Sequence, residues 1–283
     1  MINMIIILII IIILLLYILN KEQFVNNNIQ QNVTICLKTL YRKDLLYTNL
    51  NEIRKIMPNI KIIVADDSDD TYKIKNKNII NKFKNIEYLD LPYDSGLSYG
   101  RNKAVEKVNT KYTIITDDSR CITDTKQLGN LIKFMDNNEK YDLISGNVLE
   151  RGKFAGKFTY LFDIDDKPKI MNTINQNDKI KIKIKHKNIN DLKIIDNNLK
   201  LYKTHIGVNC FIARTTVLKK HKWDNNLKLR EHKHFFLNLF LNNINVLYCD
   251  KFIFKQFNSN LRKYDMSGLK LRRRNFTNNI TFY

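Results

Sequence analysis

Two acidic pairs each follow directly on an apolar run. Ile60 to Ala65 leads into Asp66-Asp67, and Tyr112 to Thr116 leads into Asp117-Asp118-Ser119. Carboxylates at strand ends can accept hydrogen bonds from ribose hydroxyls or a base N–H, or ligate a divalent cation. Between the pairs lies Gly96-Leu97-Ser98-Tyr99-Gly100-Arg101-Asn102. That block reads as a helix start, with backbone donors and a permanent cation suited to a diphosphate. A divalent metal would neutralise the same diphosphate and stabilise it as a leaving group. One acidic pair alone is matched by a polar loop with a helix cap. Two of them, with a Gly-Arg-Asn block between, point to a sugar nucleotide.

Such residues need a frame that brings strand ends together. Val33 to Leu37, Ile60 to Ala65 and Tyr112 to Thr116 are short apolar runs with the character of buried strands. Between the first two, Leu46, Leu50, Ile53 and Met57 fall on one helix face, with Asp44 as the expected N-cap and Pro58 as the stop. Ala104, Val105 and Val108 mark an inward helix face after Gly96, and Leu128, Leu131, Ile132 and Met135 mark another, followed by a strand near Leu143 to Ser145. This alternation predicts an α/β fold with a largely parallel sheet flanked by helices, in which ligands bind outside the carboxyl ends of the strands. Further on, Lys179 to Lys185 alternates Lys with Ile and reads as an amphipathic strand in a lobe beside the sheet. Gly207 to Ala213 is the next strand, and a short helix starts from Thr215. A helix carries Phe235, Phe236, Leu239 and Phe240, and Val246 to Cys249 is expected to close the sheet.

Met4 to Leu19 is almost pure Ile and Leu. Ile2 to Leu19 would span about 27 Å as a helix, close to the hydrocarbon thickness of a bilayer. No basic leader and no small-residue cleavage site flank it, so an uncleaved anchor over residues 1–20 is expected rather than a signal peptide. Residues 21–32 read as a polar stem, 33–260 as the folded domain and 261–283, with Arg272-Arg273-Arg274, as a loose basic tail. Cys36, Cys121, Cys210 and Cys249 form no CxxC, which excludes a zinc site of familiar spacing; buried free thiols are the simplest reading for those in apolar runs. The chain carries 48 Lys+Arg against 28 Asp+Glu, a net charge of +20, which first suggests nucleic acid or an anionic membrane as partner. No aromatic RNA-binding motif or helix-turn-helix pattern supports nucleic acid, and none is expected as a partner.

The segments "VTICLKTLYRKDLL", "IIVADDSDD", "GLSYGRNKAVEKVNTKYTIITDDS" and "GVNCFIARTTVL" resemble the β-1,4-N-acetylgalactosaminyltransferases of the GM2/GD2 synthase type, and more broadly GT-A glycosyltransferases of the family 2 kind. The likeness runs in order from about Val33 to Cys249. It implies a GT-A (Rossmann-like) mixed sheet and an inverting transfer from a UDP-sugar to a hydroxyl of a glycan, glycolipid or glycoprotein, usually assisted by Mn²⁺. It also implies a single-pass membrane protein with a catalytic domain in the Golgi or ER lumen of a eukaryotic host. Asp66, with Asp67, would then meet the uridine. Arg101 and Asn102 would lie on the diphosphate side, with Asp117 and Asp118 as the metal-binding region.

Two departures from the family pattern bear on the chemistry. Ser119 stands where a third carboxylate usually holds metal, which weakens the expected site. His234 stands where the family places a carboxylate before a Phe-Phe pair as general base. An imidazole can remove the acceptor proton at neutral pH, and Glu231 lies three residues earlier, so His234 is expected as base slightly ahead of Glu231. The same departures motivate an alternative: a degenerate GT-A protein that binds a sugar nucleotide or glycan without transfer.

Overall fold

In β1 (Val33–Thr39), Ile35 and Leu37 pack to one side and Cys36 to the other, and all are buried. A strand that is apolar on both faces lies in the middle of a layered molecule. The computed structural model describes residues 7–14, 27–154, 160–228, 231–257 and 279–283. After β1 come α1 (Lys43–Ile56), β2 (Lys61–Asp66), α2 (Asp70–Ile80), β3 (Ile86–Asp90), α3 (Leu97–Glu106), β4 (Tyr112–Asp117), β5 (Arg120–Ile122) and α4 (Thr125–Asn137). The second half holds β6 (Leu143–Glu150), β7 (Lys153–Phe154), β8 (Tyr160–Asp163), α5 (Lys167–Asn175), β9 (Ile180–His186), β10 (Ile194–Asp196) and β11 (Leu201–Thr204). It continues with β12 (Phe211–Arg214), α6 (Thr215–Lys220), α7 (Glu231–Leu241), β13 (Val246–Gln256) and β14 (Ile280–Phe282).

Among the described residues the main sheet runs β10-β11-β13-β6-β12-β4-β1-β2-β3, with β5 on β13 and β7 on β6. The strands β4, β1, β2 and β3 are mutually parallel, so their carboxyl ends share one edge. The register sets Lys38 beside both Ala65 and Asp117, and Thr39 beside Asp66, which brings the two acidic pairs to one level. β12 is antiparallel to both neighbours, so the sheet is mixed. One face is covered by α1 and α4 through Leu46, Leu50, Leu128 and Met135. The other is covered by α3, α6 and α7 through Val105, Leu218, Phe235 and Phe236.

Several expectations change. Val246 to Cys249 does not close the sheet: β13 continues to Gln256 across a register shift between Tyr248 and Ile253, and lies between β6 and β11. Asp44 does not cap α1; it sits in the first turn, after Arg42 at the N-cap position. Residues 27–32 are helical rather than loose stem, because Ile29 finds a place in the core at 1% exposure. The end of the chain is likewise ordered: β14 pairs in parallel with β9, and with β8 they form a three-stranded sheet in which Ile182 is buried and the lysines face out. Arg272 to Arg274 lie outside the described residues, as does much of the expected anchor over 1–20. Residues 7–14 are helical with every side chain exposed. Among the described residues no helix is long and apolar enough to cross a membrane. All four cysteines are buried free thiols.

Candidate active site

Both acidic pairs reach the shared strand edge, but their carboxylates differ in what they hold. Asp66 is fully buried: Oδ1 accepts from the Ser68 N–H at 2.9 Å, and Oδ2 from Asn76 Nδ2 at 2.7 Å and the Tyr88 hydroxyl at 2.9 Å. It shapes the turn after β2 rather than facing outward. Asp67, also fully buried, accepts from Lys38 Nζ and, through Oδ2, from the Gly96 N–H at 2.9 Å. It ties the ends of β1 and β2 to the first residue of the turn that starts α3. Gly96 has φ +95°, a left-handed conformation that favours glycine. Gly100 has no room for a side chain, since a Cβ would lie 2.5 Å from Lys38 Cδ. The Gly-flanked block is thus glycine-bearing because the buried Lys38–Asp67 pair runs against it. Burial pushes the Lys38 ammonium below its ordinary range, opposed by Asp67.

The second pair is enclosed by arginines. Arg101, 3% exposed, donates through Nη1 to Glu231 Oε1 at 2.6 Å and through Nη2 to Asp117 Oδ1 at 3.2 Å. Arg120 Nη1 donates to Asp117 Oδ2 at 3.1 Å. Asp118 accepts from Arg42 Nη1 at 3.1 Å and from Thr39 Oγ1 at 2.8 Å. Burial would raise the Asp117 carboxyl, but Arg101, Arg120 and Arg42 outweigh it and hold it below the usual carboxylate range. For Asp118 burial wins over Arg42 and Thr39, and its carboxyl is pushed up.

Glu231, at the start of α7, accepts from Arg101 and from Asn209 Nδ2 at 3.1 Å, both on Oε1, which leaves Oε2 without a hydrogen bond among the described residues. Two buried polar atoms of its partners, Arg101 Nε and Asn209 Oδ1, and Nε1 of Trp223, over whose ring Arg101 lies, also have no hydrogen-bond partner among the described residues. Orphaned buried polar atoms are rare and call for a ligand, a water or a function. Asn102 is not open to a diphosphate, because its amide exchanges hydrogen bonds with the Trp223 backbone and bonds the Asn225 side chain. His234 does not join the cluster. It lines a separate cavity of about 250 Å³ with Met171, Ile174 and Asn238. The C-terminal strand packs onto it there, its ring meeting Phe282 edge-on at 4.9 Å. Burial pushes the imidazole down to about 4. Of the two residues expected as base, Glu231 thus lies with the arginine-bound carboxylates and His234 lies apart from them.

Sequence reasoning missed five residues at this edge. Arg42 and Arg120 neutralise the second acidic pair. Tyr41, Tyr72 and Tyr93 gather after β1, at the start of α2 and after β3, with Tyr41 4.9 Å from Tyr72 and 6.2 Å from Tyr93 between ring centroids. Tyr41-Arg42 lies just past the end of β1, after Leu40, and for these two residues that position was the available signal.

The donor set fits a divalent metal poorly. Asp117 and Asp118 are already neutralised by Arg101, Arg120 and Arg42, and Ser119 offers only a hydroxyl. Among the described residues no group of three His, Cys, Asp or Glu is placed to hold a metal ion.

A model of the family described as glycosyl transferase family 2 matches residues 34–221, more than half of the chain. The chain belongs to glycosyl transferase family 2. The match begins in β1 and ends just after α6, and so takes in both acidic pairs and α3. Beta-1,4 N-acetylgalactosaminyltransferase 1 of Mus musculus is 30% identical over 211 residues, which cover 74% of this chain and 36% of that protein. The corresponding enzyme of Homo sapiens is 28% identical over the same share of each. The chain thus spans about a third of the length of these curated relatives. Among solved structures, GalNAc-T7 with UDP, GalNAc and Mn²⁺ superposes with a TM-score of 0.57 at 10% identity, covering 81% of this chain and 44% of that one. S. aureus TarS 1–349 in complex with UDP-GlcNAc gives 0.54 at 15% identity, covering 81% and 59%. At such identities the likeness establishes the fold, the GT-A mixed sheet, which this member of family 2 shares.

Proposed function

We propose that this chain is an inverting glycosyltransferase that moves a sugar from a UDP-sugar to a hydroxyl of a glycan, glycolipid or glycoprotein. One observation carries the reading: Arg101, in the middle of α3, binds Glu231 and Asp117 at once, so a proton acceptor stands beside the strand edge where such folds bind nucleotides. The tyrosines 41, 72 and 93 offer faces for the uracil. Arginines at the same edge suit the diphosphate in charge and planar geometry. Glu231 Oε2 then takes the proton from the acceptor hydroxyl while that oxygen attacks the anomeric carbon in line. The bond from that carbon to the UDP oxygen breaks, its electron pair leaves with UDP, and the anomeric configuration inverts. The names of the relatives support N-acetylgalactosamine as the first sugar to test. The apolar run from Met4 to Leu19 supports a single-pass membrane attachment, with a lumenal catalytic domain in a eukaryotic host.

A screen of UDP-sugars read out by UDP release tests the proposal. Release from at least one donor, faster with a glycan acceptor, is the expected result; none from any donor, with or without Mn²⁺, refutes transfer. A second reading, donor binding without transfer, draws on the closed pairing of Asp117 and Asp118. It predicts that UDP raises the melting temperature while no donor is turned over.

A further inference from the structure

The carboxylates that would receive a cation are already paired with arginines. Asp117 is held between Arg101 and Arg120, and Asp118 between Arg42 and Thr39. With Glu231, the cluster sets the carboxylates of Asp117, Asp118 and Glu231 against the guanidinium groups of Arg42, Arg101 and Arg120, and its charge sums to zero. Each carboxylate oxygen keeps a lone pair, but the guanidinium groups already beside these carboxylates oppose the approach of a hard divalent cation.

The arginines differ in what they can still give. Arg101 is 3% exposed and committed to two carboxylates. The Arg120 side chain is 25% exposed, with donors on Asp117, Gln256 and Cys210. Arg42 is 48% exposed and, among the described residues, donates a single side-chain hydrogen bond, to Asp118. A guanidinium has five N–H donors in a planar fork that matches phosphate oxygens. Arg42 also stands at the N-cap position of α1, next to Tyr41 of the aromatic cluster.

We infer that Arg42, backed by Arg120, supplies to the diphosphate of a nucleotide the positive charge that a divalent cation would otherwise bring, so that donor binding by this chain is metal-independent. The inference rests on the reading of this edge as a donor site. Its test is calorimetric titration of UDP into the full chain, once in EDTA and once in Mn²⁺. The expected dissociation constants agree within about threefold, because loss of the metal removes no required ligand. Arg42→Ala should weaken UDP binding about 10–100-fold in both buffers, the usual worth of hydrogen bonds to a charged group. Arg42→Lys should recover only part of that loss, since an ammonium lacks the fork. Binding that requires Mn²⁺, or an Arg42→Ala protein that binds as well as the unaltered chain, would overturn the inference while leaving the donor site standing. Absence of UDP binding in both buffers overturns the donor reading itself, and the inference with it. Were Arg42→Ala not to fold, the EDTA comparison on the unaltered chain decides alone.

Discussion

The Lys38–Asp67 pair fixes the donor edge, and replacing Asp67 with Asn isolates its worth. Both side chains are buried, at 3% and 0% exposure, and Asp67 also holds the Gly96 N–H. Asn can keep the Gly96 bond through its amide oxygen, but it sets an NH₂ or a neutral oxygen against a buried ammonium. Removing one partner of a buried pair costs about 3–5 kcal/mol. The loss has a ceiling, because Lys38 can shed its proton: neutralising an ordinary lysine at pH 7 costs about 5 kcal/mol, at about 1.4 kcal/mol per pH unit. The two routes agree, so a loss of about 3–5 kcal/mol is expected. Trp223, the single tryptophan and 2% exposed, reports unfolding by fluorescence. With a urea slope of about 2–3 kcal/mol per molar, the midpoint should fall by about 1–2.5 M. Lys38→Met combined with Asp67→Asn should be less damaging than the sum of the single changes by about 2 kcal/mol. A midpoint shift below about 0.3 M, or strict additivity of the two changes, would refute the reasoning that this pair holds the edge together.

Glu231→Gln should lower turnover about 10²–10⁴-fold with UDP affinity little changed, whereas His234→Ala should leave turnover within about tenfold; steady-state kinetics beside UDP titration separates the two. Gly100→Ala places a Cβ 2.5 Å from Lys38 Cδ and should cost about 1–3 kcal/mol, read as a lowered melting temperature. Tyr93→Ala, at an exposed ring beside Tyr41, should weaken UDP binding by about 1–3 kcal/mol without changing the melting temperature, measured by titration and thermal unfolding. His205 and His234 are both held near 4 by burial, against an ordinary 6.5. Their contribution to stability is complete above pH 6.5, where both states are neutral, and is lost as the pH falls from 6.5 toward 4, where the unfolded chain takes up protons first. The slope is at most about 1.4 kcal/mol per pH unit for each histidine. A melting temperature that stays flat from pH 7 to pH 4.5 would contradict it.

The parallel half of the sheet was legible because Val33 to Leu37, Ile60 to Ala65 and Tyr112 to Thr116 are apolar on both faces and end at charged residues. β3 was not, because Ile86-Glu87-Tyr88-Leu89 is only partly buried at the sheet edge and carries no clean period. α2 was hidden for a related reason. Its inward residues are Lys73 and Asn76 as well as Ile80, and they face Asp90 and Asp66. A helix that packs on carboxylates has no apolar stripe to detect. The site shows the same limit. The positions of Asp66 and Asp67 could be inferred from strand ends, but not that every partner they hold lies inside the protein. Arg120 was invisible among 48 basic residues, and Arg42 was marked only by its place after β1, since only the fold brings them to Asp117 and Asp118.

That closure orders how the site can open. The net charge of +20 is no guide here, because the lysines of β9 face outward, with Lys183 and Lys185 on Asp163, far along the chain from the donor edge. Within the site the charges balance, so an incoming diphosphate is held by the guanidinium donors that no carboxylate has taken. Exposure ranks the three arginines from Arg42 at 48% through Arg120 at 25% to Arg101 at 3%. The outermost has the most unspent donors and the least packing to disturb. The innermost holds Glu231, the proposed base, and is the most costly to move. A donor that recruits from the outside inward therefore leaves the Arg101–Glu231 bond intact. Binding and proton removal then fall to different arginines, and substitutions at Arg42 should change UDP affinity without changing the pH dependence of turnover.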